Sequence, residues 1–252
     1  VCQPENARVV KRNPLTVVWQ ICRREFKSYF QSALAYFILS ISLALAFLWG
    51  YVHIRHESTS ALAMQKIFYM LSGTTMFTGV LISMRLIAEE KMQGTIELLF
   101  TSPITETQLI LGKFLSALLF LAIQALLTLP IPLLVVLYGG SNLGHLLSGF
   151  IGVLLIGAAT AAVGTFYSSL TRIQLLAALM TGANIIFFLL LGSLSPFVDQ
   201  PVKSMMREFS FYVHFMDFEK GVISVKNVLF YVSIITVYLY AASLSLASRR
   251  WH

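Results

Sequence analysis

Glu89, Glu90 and Lys91 stand side by side, with Gly94, Thr95 and Glu97 just after them, in a chain of which only 12% is charged. Such a cluster could do hydrolytic chemistry, as in intramembrane proteases, or it could grip a charged partner. The hydrolytic options need companions that the sequence lacks. There is no HExxH zinc signature, and Glu89-Glu90 is not followed by the arginine expected of a glutamate-type intramembrane protease. No Gly-x-Ser-x-Gly nucleophile elbow occurs. His53 and His56 have the spacing of a helical metal pair, but no third ligand stands nearby, so no metal site is expected. No Walker A phosphate loop is present, so the chain is not expected to hydrolyse ATP itself. Docking is the chemistry that is left.

The stretch that presents this cluster runs from Arg85 to Lys113 and is the one long polar interruption between strongly apolar segments. Gly94 acts as a pivot, and residues 95–100 form a short amphipathic piece with Ile96, Leu98, Leu99 and Phe100 as its apolar grip. Pro103 disfavours helix for the residue before it. Thr105 with Gln108 three residues on reads as a capping box that starts the next helix. The chain thus leaves one membrane helix, lays a short helix across its end and re-enters the membrane.

The surrounding elements are set by hydropathy. The 252 residues are 57% apolar with mean hydropathy +0.78, and a soluble domain of this size would carry about a quarter charged residues. Charge-free runs in 28–52 and 67–84 each hold one span, and residues 114–171 contain no Lys, Arg, Asp or Glu. Those 58 residues would stretch about 87 Å as one helix against a hydrocarbon core of about 30 Å, so they fold back, with Gly139-Gly140-Ser141-Asn142 as the turn. Residues 173–198 and 227–248 hold the fifth and sixth spans. The fold class expected is an all-α integral membrane protein of six transmembrane helices.

Lys and Arg set the orientation. Twelve of the eighteen fall on the side of both termini and the Arg85–Lys113 stretch, and six on the other, leaving net charges of +6 and +1. Both termini are therefore expected in the cytoplasm. The basic balance is a topology signal rather than a sign of nucleic-acid binding. The first 14 residues are polar, so no cleavable signal peptide is expected. Residues 15–29 place Val18, Ile21, Cys22 and Phe26 near one face and Arg23, Arg24 and Lys27 on another, as in an interfacial helix. Cys2 and Cys22 have no disulfide or metal-ligand spacing.

Within the spans, small and hydroxyl residues (Ser72, Gly73, Thr75, Thr78, Gly79, Ser83) mark the second, and Gly149, Gly152, Gly157, Ala161 and Gly164 the fourth, as close-packing faces. Pro130 and Pro132 should kink the third. Thr75, Thr78, Asn184 and Phe187 are candidates for lining a path, from polarity and depth. Residues 195–226 are too polar to span and too aromatic for a floppy loop, and read as short helices at the outer face. No Asp, Glu, Lys or Arg lies deep in a span, unlike ion-coupled carriers. Energy is therefore expected to arrive from outside the membrane domain.

The run Ile87-Ala88-Glu89-Glu90-Lys91-x-x-Gly94-Thr95-x-Glu97-Leu98-Leu99-x-Thr101-x-Pro103, followed by Leu111-Gly112-Lys113, resembles the signature of ABC-2 type permeases. It is most similar to the bacterial six-helix type of gliding motility and nitrous-oxide-reductase maturation, as is Asp217-Phe218-x-x-Gly221-Val222-x-Ser224. The resemblance implies one transmembrane domain over 1–252, with a tail and interfacial helix in 1–30, the bundle in 31–248 and a cytoplasmic tail in 249–252. It implies a subunit of the bacterial inner membrane that pairs with a second permease copy or paralogue and with ABC ATPase subunits. Those subunits bind the ATP and Mg, and this chain binds no cofactor. An extracytoplasmic accessory protein is a further expected partner. The ATPase-coupling residues would be Glu89, Glu90, Lys91, Gly94, Thr95, Ile96, Glu97, Leu98, Leu99, Phe100 and Thr101. The work implied is export, or mechanical work outside the membrane, on a hydrophobic cargo. The competing readings are a non-transport scaffold of a larger complex and a self-sufficient carrier. The charge-free spans disfavour the carrier.

Overall fold

The computed structural model describes residues 14–57, 59–95, 105–197 and 199–249. The described residues are mostly helical, with no strand among them. Helices α1 (Pro14–Gln31), α2 (Ala33–His56), α3 (Ser60–Ser83) and α4 (Ala88–Gln93) precede the segment 96–104; α5 (Glu106–Thr128), α6 (Pro130–Gly139), α7 (Leu143–Leu170), α8 (Gln174–Leu194), α9 (Val202–Glu208), α10 (Phe211–Glu219) and α11 (Val225–Arg249) follow it. Among the described residues, six segments are long and apolar enough to cross a membrane: Ala33–Arg55, Ser60–Gln93, Glu106–Gly139, Leu143–Leu170, Gln174–Phe197 and Val225–Ser248.

Local chemistry explains the breaks. Pro130 opens α6 because it has no N–H to give to α5, and Leu129 N–H closes the preceding turn on the Leu126 carbonyl at 3.2 Å. Gly140, at φ +68°, ends α6, and α7 starts at Leu143, so the glycine turn returns the chain as its residues suggest. The capping box at Thr105 forms in both directions, Gln108 N–H to Thr105 Oγ1 and Thr105 N–H to Gln108 Oε1, each at 3.3 Å. The second span begins at Ser60, well before the charge-free run that marked it in the sequence, because Lys66 reaches back to pair with Glu57 and leaves the helix uninterrupted.

Helix α7 is the centre of the bundle and packs on α3, α5, α8, α10 and α11. Its small residues explain this. Lipid tails are as apolar as leucine, so spans associate through close contact rather than through hydrophobic expulsion. A Cβ on Gly157 would lie 2.8 Å from Thr75 Cγ2, one on Gly79 would lie 2.9 Å from Thr160 Cγ2, and one on Gly164 would overlap Ser83 Oγ. Residues 75, 79 and 83 share one face of α3, so α3 and α7 meet along a continuous seam of small side chains. At the other extreme α8 and α11 keep most of their surface uncovered.

Candidate functional site

The second span does not end cleanly. α3 stops at Ser83, residues 84–87 tighten into turns in which the Arg85 and Leu86 N–H groups bond the Ile82 and Ser83 carbonyls, and α4 resumes for six residues. A break of this kind strands backbone groups, which are costly where water is scarce. Ser168, fully buried near the end of α7, deals with three of them. Its Oγ accepts from the N–H groups of Ile87 at 3.0 Å and Ala88 at 2.9 Å and donates to the Met84 carbonyl at 3.1 Å. The Lys91 ammonium donates to the Ser169 carbonyl, one of the last acceptors of α7.

Two charge clusters hold α4 from its other sides. Arg85 grips Glu89 bidentately, Nε to Oε2 at 2.9 Å and Nη2 to Oε1 at 3.1 Å, and donates through Nη1 to Ser32 Oγ at 3.2 Å, at the α1–α2 corner. Lys113 on α5, its side chain 2% exposed, lies between Glu90 at 2.8 Å and Glu25 of α1 at 3.2 Å. Glu90 Oε2 is buried with no hydrogen-bond partner among the described residues. α1 is pressed against α5 so closely that a Cβ on Gly112 would lie 2.7 Å from Ile21 Cγ2. The chain then leaves α4 through Gly94 at φ +70°, with Thr95 N–H bonded to the Glu90 carbonyl at 3.1 Å. A side chain at Gly94 would meet nothing within 4 Å, so the left-handed backbone is what suits glycine there.

Of the residues expected to couple to a partner, Glu89, Glu90, Lys91, Gly94 and Thr95 are brought together at this clamp. Ile96, Glu97, Leu98, Leu99, Phe100 and Thr101 lie outside the described residues. Of the candidates for a path, Thr75 and Thr78 are buried, Thr75 against α7 in the small-residue seam. Asn184 joins three spans, its Nδ2 donating to Tyr167 Oη and its Oδ1 accepting from Tyr238 Oη, both at 3.1 Å. Phe187 is largely exposed on the outer side of α8. A cleft of about 420 Å³ opens elsewhere on α3, between it, α8 and α10, lined by Tyr69, Ser72, Met76, Leu189, Tyr212 and Phe215 among others.

Sequence reasoning missed Ser168, Ser169 and Glu25. A serine pair near a helix end is common, and nothing in it marks a clip for a backbone 81 residues away. Glu25 did carry a signal. It is the one acid on a helix whose other charges are all basic.

The match to known families decides the identity. Residues 24–251 match the model of the ABC-2 family transporter proteins. The chain belongs to that family. No curated protein matches the sequence. An ABC-2 chain is the transmembrane subunit of an ABC transporter, a multi-pass membrane protein whose family implies an ABC ATPase partner. The α4 clamp is thus a feature of an ABC-2 membrane subunit, at the start of the segment between its second and third spans.

Proposed function

We propose that this chain converts nucleotide-driven movement of a separate ATPase into movement of its spans, through the segment Gly94–Thr101 and the α4 clamp. The observation that carries the reading is the clamp itself. α4 is six residues long, yet Glu90 is paired with Lys113 of α5 and the Ala88 N–H and Lys91 bond α7, while Lys113 and the Glu89-bound Arg85 carry the contact on to Glu25 of α1 and to Ser32 at the α1–α2 corner. A force applied just beyond Gly94 therefore reaches four elements at once. Ile96, Leu98, Leu99 and Phe100 supply apolar contact to the ATPase, and the flanking charges set register more than affinity. ATP and Mg are held by that partner.

The clamp end of the bundle, with both termini, faces the cytoplasm of a bacterium, and two permease chains, alike or paralogous, work as a pair. The cargo is hydrophobic, moved outward or used for work outside the membrane with an accessory protein, as the likeness to gliding-motility and nitrous-oxide-reductase-maturation permeases suggests. The cleft between α3, α8 and α10 supports this reading. Its walls are apolar with a few hydroxyls, which suits an acyl-like chain bearing a polar end.

The test is reconstitution of the chain with its ATPase in lipid vesicles, comparing the native chain with Leu99→Asp. Expected is an inserted, folded variant in which ATP hydrolysis no longer responds to the permease. Hydrolysis that stays coupled in Leu99→Asp would remove the segment from the mechanism. A chain that works equally well with a hydrolysis-dead ATPase would instead make it a scaffold.

A further inference from the structure

The stretch between the fifth and sixth spans forms a helical cap, α9 and α10, at the end of the bundle opposite α4. Its central polar feature is buried. His214, 4% exposed on α10, places Nδ1 at 2.8 Å from Asn227 Oδ1 and Nε2 at 2.9 Å from the main-chain carbonyl of Glu208. Asn227, also 4% exposed, begins α11, and its Nδ2 donates to Asp217 Oδ2 at 2.7 Å.

The chain of bonds has a direction. Asp217 accepts, so the Asn227 amide must turn its NH₂ toward it. Reversing the amide would set two oxygens 2.7 Å apart. With that orientation fixed, Nδ1 of His214 faces an oxygen and must donate. Nε2 also faces an oxygen, a carbonyl that can only accept, and must donate as well. A neutral imidazole has one N–H, so both bonds exist together only in the imidazolium. The ring also stacks on Phe230 at 3.9 Å and 20°, an arrangement that suits a cation over an aromatic face.

We infer that His214 is a proton-dependent latch: doubly protonated, it ties the end of α9, the middle of α10 and the first turn of α11 into one cap, and losing either ring proton releases one of those ties. The cap is worth latching because Tyr212 and Phe215 of the same α10 line the cleft described above. The latch also accounts for the motif that begins at Asp217. Val222 N–H bonds the Asp217 carbonyl at 2.9 Å, Gly221 turns at φ +84° against His145, and the Ser224 carbonyl takes the N–H groups of Asn227 at 3.1 Å and Val228 at 3.2 Å. The whole run holds Asp217 and Asn227 in register.

The ionisable groups on the cap-side parts of the surrounding elements are Lys203, Arg207 and Glu208 on α9, Tyr212, Asp217, Glu219 and Lys220 on α10, Lys226 and Tyr231 on α11, His145 on α7 and Lys66 and Tyr69 on α3; α8 brings none. Glu208 is paired with Lys226 at 2.7 Å. Glu219 is the confounder, since burial pushes its carboxyl up to about 7, and it is neutralised as Glu219→Gln in the test.

The experiment uses the full Glu219→Gln chain in lipid nanodiscs between pH 5 and 9. The His214 ring is followed by nitrogen-15 NMR, and hydrogen exchange of the α10 amides is corrected for intrinsic rates, with α7 as internal reference. Phe230→Leu identifies the His214 signals by the loss of ring stacking. Expected is that α10 loses protection about tenfold or more in the same pH interval in which the ring loses its second proton. Asp217→Asn frees the Asn227 amide to turn and donate to a neutral ring, so its α10 protection should no longer follow pH. A ring that deprotonates while α10 stays protected would overturn the latch, as would an Asp217→Asn chain with the pH dependence of its parent. If Asp217→Asn does not fold, the coincidence of the two transitions decides alone.

Discussion

At the scale of single residues, the clamp rests on few atoms. Lys113 lies between two carboxylates, and removing one partner from a buried pair costs about 3–5 kcal/mol because a charge is left uncompensated. Lys113→Met should therefore lower the thermal midpoint markedly, while Lys113→Met with Glu90→Gln and Glu25→Gln should recover much of it. Thermal unfolding of the three chains in one detergent checks this. Ser168→Ala orphans two N–H groups at about 1–3 kcal/mol each, and amide exchange at Ile87 and Ala88 should rise while that of α7 holds. Glu219 gives a pH dependence with a definite sign. Its carboxyl is raised from 4.5 to about 7 by burial, with one oxygen bonded to no group and a link to Gln65 opposing the shift. A raised carboxyl favours the protonated fold, so its contribution is full below about 4.5 and lost as pH rises through about 7. Glu219→Gln should flatten that fall in unfolding curves taken from pH 5 to 8.

At the scale of elements, the seam between α3 and α7 decides whether the bundle closes. Gly164→Leu drives a side chain into Ser83 and should cost more than about 3 kcal/mol, seen as loss of monodisperse protein on size exclusion. Gly94 makes the opposite case. Nothing crowds it, so Gly94→Ala meets only the left-handed backbone, at about 1 kcal/mol. The thermal midpoint should fall by only about 2–4 °C while coupling to the ATPase weakens, which separates the hinge role of this residue from any packing role. The kink in the third span and the capping box of α5 were legible in the sequence because proline, glycine and Thr-x-x-Gln act locally. The break at 84–87 was not, since it is stabilised by Ser168 from another span.

At the scale of the whole molecule, the proposed topology puts the α4 end and both termini in the cytoplasm and the cap outside. With Cys2 and Cys22 replaced by alanine, Gly94→Cys should react with a membrane-impermeant thiol reagent only in inverted vesicles, and Ser204→Cys only in right-side-out cells. The reverse pattern would put the ATPase on the wrong side for the clamp. By itself the sequence determined the six spans, their turns and the family, because the bilayer enforces long uncharged runs and because the Ile87–Pro103 signature is local in the chain. It also marked the segment proposed to couple to the ATPase. Tertiary structure alone decided which charges meet. Glu25, Glu90 and Lys113 come from three helices, and Asp217, Asn227 and His214 from two, and their effect depends on distances of a few ångström that no spacing rule encodes. It also decided that Thr75 and Thr78 are buried, with Thr75 facing α7, while Ser72 and Met76 of the same helix face the cleft. One step around a helix is about 100°, so residues adjacent in depth and polarity can belong to a packed seam or to open space.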